Sequence, residues 1–150
     1  MRLGFIGAGN MAQAMIGGVL KSGLLKKEEI IASAKTQETL DKAVKEFGIC
    51  TTLDNREVAK SDFVFLAVKP VYCAKVIAEI QDIITKEQII VSVADGKNME
   101  WLEEAFGGGK KIIRTMPNTP ALVGEGITAV CPNGQVTEGE LEAVCEIRES

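Results

Sequence analysis

Short apolar runs alternate with helically spaced apolar positions along most of the chain. Leu3-Gly4-Phe5-Ile6 is one such run and predicts a buried strand. From Asn10 to Lys21, Met11, Ala14, Met15 and Val19 fall near one face of a predicted helix, which Ser22-Gly23 stops. Ile30-Ile31-Ala32-Ser33 predicts a second strand. Thr36 is placed to cap the next helix, because a hydroxyl accepts from the unpaired N–H groups of a first turn. That helix is expected to run to about Phe47, with Gly48 as its stop and Ile49-Cys50-Thr51 as a brief third strand.

Phe63 to Val68 is apolar at every position, as a central strand covered on both faces must be. Pro70 opens the next helix, through Val76, Ile77 and Ile80. Ile89 to Val93 reads as a strand, Met99 to Phe106 as a short helix, and Gly107-Gly108-Gly109 as a break. Lys111 to Thr115 and Ile127 to Cys131 follow as strands. Thr137 to Glu149 is a final helical segment, where Thr137 and Glu140 have the spacing of a capping box. Alternation of this kind predicts an α/β fold, a parallel sheet with helices on both faces and right-handed crossovers. There is no internal repeat. The chain stops inside or at the end of a helix without a glycine stop, so we expect one domain of something longer.

The first strand leads into Gly7-Ala8-Gly9-Asn10-Met11-Ala12 and then a helix, the full context in which a Gly-x-Gly-x-x-Gly/Ala pattern signals a dinucleotide site. Gly7 permits a tight turn, Gly9 lets a pyrophosphate approach the backbone, and Ala12 lets the helix lie close to the sheet. The helix N-terminus offers free N–H groups to the phosphates. Gly17-Gly18 also suggests close helix–sheet contact. The fold expected is therefore a Rossmann-type doubly wound, mostly parallel sheet.

The end of the second strand bears on which dinucleotide. A site for NAD places an acid there, about 20 residues on, to bind the ribose 2′-hydroxyl. Here Ser33-Ala34-Lys35-Thr36-Gln37 holds no acid before Glu38, and a hydroxyl, a lysine and a second hydroxyl suit a 2′-phosphate. NADP is favoured over NAD; Ser33 and Thr36 can equally serve as turn and cap residues. Ligands of doubly wound sheets sit outside the carboxyl ends of the strands. That rule points to Lys69-Pro70, Ala94-Asp95-Gly96 and Met116-Pro117-Asn118-Thr119-Pro120. Lys69 is either held at the crevice or an ordinary surface lysine. The proline-flanked loop either aims Asn118 and Thr119 at a substrate or simply turns the chain.

Composition narrows the classes. The 150 residues are 46% hydrophobic and 25% charged, ordinary for one globular domain. A net charge of −4 argues against non-specific nucleic-acid binding. Lys26-Lys27-Glu28-Glu29 reads as a solvated helix face. The four cysteines form no CxxC pair, and with no histidine in the chain neither a zinc site nor a histidine base or triad is expected. Free thiols suit a reducing cytoplasm. The apolar start is broken by Asn10 and Gln13 and reads neither as a signal peptide nor as a membrane helix of ~20 apolar residues.

Three segments together resemble pyrroline-5-carboxylate reductase: Gly4 to Ala12, Phe65-Leu66-Ala67-Val68-Lys69-Pro70, and Arg114-Thr115-Met116-Pro117-Asn118-Thr119-Pro120-Ala121-Leu122-Val123-Gly124-Glu125-Gly126. The resemblance implies NADPH-dependent reduction of 1-pyrroline-5-carboxylate to L-proline, the last step of proline biosynthesis. It implies that Ile6, Gly7, Ala8, Gly9, Asn10, Met11, Ser33, Asn55, Ala67, Val68, Lys69 and Pro70 line the cofactor. Ser33 would meet the 2′-phosphate, Ala94 and Gly96 would lie near the nicotinamide, and Lys69 and Asn118 would stand on the substrate side. Hydride delivery to an already electrophilic imine mainly needs orientation, which fits a chain without histidine. Asp95 departs from the family pattern. The resemblance further implies a C-terminal helical domain, absent here, that builds a homodimer or larger oligomer and supplies substrate contacts from the partner. The chain alone is then expected to bind NADPH and to turn over substrate poorly. Alternatives are another imine or hydroxyacid reductase of the same superfamily, or a non-catalytic NADP-binding module.

Overall fold

The computed structural model describes residues 2–93, 98–117 and 128–149. Seven strands form one sheet in the order β3-β2-β1-β4-β5-β6-β7. They are β1 (Leu3–Ile6), β2 (Ile30–Ser33), β3 (Cys50–Thr52), β4 (Phe63–Leu66), β5 (Ile89–Ser92), β6 (Lys111–Pro117) and β7 (Thr128–Pro132). Between and after them come α1 (Asn10–Ser22), α2 (Gln37–Phe47), α3 (Asn55–Val58), α4 (Pro70–Ile80), α5 (Met99–Ala105) and α6 (Glu138–Glu149). Pairings from β3 through β6 are parallel. The β6–β7 pair is antiparallel, so the sheet is mostly parallel, as expected, with β7 the exception at its edge.

The central strands are apolar throughout because they feed two cores. Phe5, Phe65, Val91 and Ile113 point to one face, under Ala12, Ile16 and Val19 of α1, Ala43 of α2 and Val144 of α6. Ile6, Val64, Leu66, Ile90 and Ile112 point to the other, under Val58 of α3, Cys73, Ile77 and Ile80 of α4, and Leu102 of α5. Side chains alternate across a strand, so a strand covered on both faces must be apolar at odd and even positions alike. The Phe5 and Phe65 rings sit 5.0 Å apart at 33°, packing β1 against β4.

Helix ends follow the local chemistry. Thr36 accepts from the Thr39 N–H and Gly48 closes α2 at φ +69°. The Thr137–Glu140 capping box forms in both directions, at 3.2 and 2.9 Å. Pro70 is the first residue of α4. Several expectations shift. Ala14 is exposed; α1 buries Ala12 and Ile16 together with the expected Val19, and Met15 packs partly buried against the same core. Gly17 faces the Phe47 ring, so its small size admits a neighbouring helix rather than the sheet. Lys27–Glu29 is a 3-10 turn, and α3 went unforeseen because four residues carry too little periodicity to register. Ala67, Val68 and Val93 lie beyond the ends of β4 and β5. Gly4 of β1 permits a close crossing: a Cβ there would lie 2.6 Å from Ser61 Oγ and 2.9 Å from the Val58 carbonyl.

Candidate nucleotide-binding site

In this strand order the chain leaves β1 toward β2 on one side and returns to β4 on the other, so β1 and β4 flank the switch point where doubly wound sheets open a crevice. Gly7 leaves β1 at φ +103°, donating its N–H to the Ser33 carbonyl at 3.0 Å. A Cβ on Gly7 would stand 2.5 Å from the Ala67 carbonyl oxygen, so the turn needs glycine for conformation and for space. Gly9 differs. It is exposed, and a Cβ there would meet nothing within 4 Å. It precedes α1 as an extended N-cap with no side-chain bond to the helix. Gly9 thus offers the first-turn N–H groups no capping side chain, and the space beside it is open.

Beyond the turn lies a cleft of about 310 Å³. Ile6, Gly7 and Val68 form its inner side, Ala34 and Lys35 the wall after β2, and Asn55 and Leu53 the edge beside β3. Tyr72, Lys75, Val76 and Glu79 of α4 complete it. Five residues nominated from the sequence thus converge, Ile6, Gly7, Lys35, Asn55 and Val68, with Ala34 beside Lys35. Ala8 is buried beneath the turn. The backbone of Asn10 and Met11 begins α1. Thr36 is exposed and engaged as the α2 cap, 2.9 Å from the Thr39 hydroxyl. Ala67 lines the Gly7 turn through its carbonyl. Lys69 is the exposed N-cap of α4 and its side chain makes no capping bond. Ala94, Asp95, Gly96 and Asn118 lie outside the described residues.

Ser33 is fully buried, and its hydroxyl donates to Asn55 Oδ1 at 2.7 Å. Asn55 Nδ2 in turn donates to Glu79 Oε2 at 3.3 Å. The amide is thus held at both ends, and Ser33 reaches the cleft through Asn55. The end of β2 does lack an acid, yet a carboxylate enters the cleft from α4, which the local reading of β2 had no means to anticipate. Two cleft lysines, Lys35 and Lys75, face one Glu79, so the lining stays net positive. Arg56 is turned away from the cleft, donating to Asp82 at 2.8 and 3.2 Å and to the Glu79 carbonyl at 2.7 Å. That pair, with its hydrogen bond as the main cause, holds the Asp82 carboxyl below its ordinary range. The apolar periodicity of α4 reports only the face it packs on the sheet and not the residues it turns to the cleft. The available signal was residual: Leu53 and Tyr72 are large apolar side chains left 57% and 38% exposed.

A glycine turn at a switch point, an uncapped helix N-terminus and a positively lined cleft define a nucleotide-binding domain of the doubly wound class. Residues 2–96 match the family described as NADP oxidoreductase, coenzyme F420-dependent, and the chain belongs to that family. It is 40% identical over 147 residues to the pyrroline-5-carboxylate reductase of Escherichia coli strain K12, covering 97% of this chain and 55% of that protein. Among solved structures, a pyrroline-5-carboxylate reductase from Coxiella burnetii superposes with a TM-score of 0.90 at 33% identity, over 98% of this chain and 55% of that one. The Plasmodium falciparum pyrroline carboxylate reductase, solved with NADP bound, gives 0.83 at 31% identity, over 99% and 54%. The resemblance drawn from three segments therefore extends along the chain, which spans about 55% of the length of the relatives it matches. Among the described residues no helix is long and apolar enough to cross a membrane.

Proposed function

We propose that this chain is the NADP(H)-binding domain of a pyrroline-5-carboxylate reductase, and that the complete protein reduces 1-pyrroline-5-carboxylate to L-proline. The observation that carries the cofactor reading is the open space at Gly9 leading into a cleft with two lysines against one carboxylate. The pyrophosphate would lie against the Gly7–Met11 backbone and the N-terminus of α1. Lys35 would meet the 2′-phosphate, with Asn55 beside it in the orientation that Ser33 and Glu79 impose. The bound cofactor supplies a hydride.

What the chain's own residues do is orient and exclude. Ala67, Val68, Lys69 and Pro70 follow β4 and would line the cofactor at the crevice, and Ala94 and Gly96 would lie near the nicotinamide. Lys69 presents a cation at that rim with no capping bond to hold it, and Asn118 belongs to the segment proposed to face the substrate. The substrate is an anion, so a free lysine at the rim favours its approach. Further grip on its carboxylate would come from the remaining length found in the relatives and from a partner subunit. None of the four cysteines lies in a disulfide among the described residues, and we read the compartment as a reducing one such as the cytoplasm.

Fluorescence titration of this chain with NADPH tests the cofactor site, and a proline-forming assay on the chain and on the complete protein tests the reaction. We expect saturable NADPH binding by the chain, proline formation by the complete protein, and little turnover by the chain alone. No binding would remove the premise; substantial turnover by the chain alone would show that the remaining length is dispensable.

A further inference from the structure

The mouth of the cleft holds a contact that the glycine turn does not explain. Lys35, after β2, places its ammonium 2.8 Å from the centroid of the Tyr72 ring, in the first turn of α4. The two walls of the cleft therefore touch across its opening. A cation over the face of an aromatic ring is held by the ring's quadrupole. The same face is the surface a purine would stack on, and one ring face takes one occupant at a time. Behind it, Val68 and Val76 provide an apolar slot.

Resting on the reading that this cleft takes an NADP-type dinucleotide, we propose that Lys35 and Tyr72 form a latch that cofactor binding exchanges. Tyr72 passes its ring face from Lys35 to the adenine, and Lys35 passes from the ring to the 2′-phosphate. With NADPH the lysine trades one partner for a stronger one. With NADH it loses the ring and meets only a hydroxyl and water. The latch thus turns a single lysine into a discriminator that favours NADPH and also penalises NADH. The phenol agrees with this geometry: Lys35 chiefly, with Lys69 and Lys75 adding, holds Tyr72 below its ordinary value. Glu79 is the carboxylate that lines the same cleft.

The test is Lys35→Met, with NADPH and NADH affinities measured separately on this chain. We expect NADPH to weaken about tenfold or more, as for a lost charge-assisted contact, and NADH to tighten by about two- to fivefold, the worth of an exposed cation–π contact. A lysine that only binds phosphate would leave NADH unmoved, so unchanged or weakened NADH binding overturns the latch. In a Tyr72→Leu background, Lys35→Met should no longer improve NADH binding; a persisting gain also overturns it. Tyr72 is the only tyrosine in the chain, so its ionisation can be followed by absorbance against Tyr72→Phe. Saturating 2′,5′-ADP should raise the phenol pKa as Lys35 leaves and a phosphate arrives, and no change would count against the exchange. Absence of NADPH binding by the unaltered chain would instead strike the cofactor reading itself.

Discussion

The turn after β1 and the turn before α6 lie at opposite ends of the strands of one sheet and are built by opposite means. At Gly7 the chain succeeds by leaving atoms out, since the Ala67 carbonyl occupies the space a side chain would need. At Asn133 it succeeds by putting polar atoms in. The Asn133 side chain accepts from the N–H groups of Ile112 and Gln135 at 3.3 and 3.1 Å, and donates to the Lys110 carbonyl at 2.8 Å and to Glu103 at 3.2 Å. Nearby, Lys111 and Glu140 pair at 2.5 Å. The first end must leave backbone N–H groups free and a cleft open. The second must anchor the antiparallel edge strand β7 and dock α6. An end kept open for a ligand is shaped by absence; an end that only has to hold is stitched by side chains.

The sharpest way to break this comparison is Gly7→Ala. It sets a Cβ against backbone at a φ that L residues rarely adopt, and should cost about 3 kcal/mol or more in urea unfolding. A loss below about 1 kcal/mol would mean the turn relaxes freely. Next comes Asn133→Ala, which strands the buried Ile112 N–H and should cost about 2–3 kcal/mol on the same measurement. Gly9→Ala separates holding from binding. Stability should stay within about 0.5 kcal/mol, because the added methyl meets nothing. NADPH affinity should fall about tenfold in a fluorescence titration, because under the proposed cofactor reading the methyl would stand where the pyrophosphate approaches. Equal loss of stability and affinity would erase the distinction between the two glycines.

The smallest effect concerns pH. Burial pushes the Glu140 carboxyl up, but the Lys111 ammonium and the Thr137 donors outweigh it and leave the group below its ordinary 4.5. A lowered carboxyl contributes stability that is complete above the unfolded value and is lost as pH falls through the folded one. Glu140→Gln should therefore cost about 1 kcal/mol or less at neutral pH and flatten the decline in stability below about pH 4.5. An unchanged acid limb in denaturation curves would show that the Lys111 pair holds nothing.

Legibility in the sequence followed the range of the interaction. The β1 turn, the α2 cap at Thr36, the Gly48 stop, the Pro70 start and the Thr137–Glu140 box are all decided by residues within a few positions of one another. All are as read. Ala14 was misplaced because several helical faces fit an apolar-rich stretch, and only the position of the sheet chooses among them. Gly17 was assigned to the sheet because a glycine announces a close approach without naming what approaches. The antiparallel β7 carries the same apolar signature as a parallel strand.

By itself the sequence determined a doubly wound sheet, a tight glycine turn at Gly7 with an open position at Gly9, and the absence of an acid at the end of β2, because each depends on local conformation and on residue type. Only the tertiary structure decided what faces that turn. It brought Glu79 from α4 to hold Asn55, with Ser33 holding the other end of the amide. It also laid Lys35 on Tyr72. These partners are separated by tens of residues, so no window along the chain contains them. They meet because β2 and α4 are placed beside the same crevice by the order in which the strands pair.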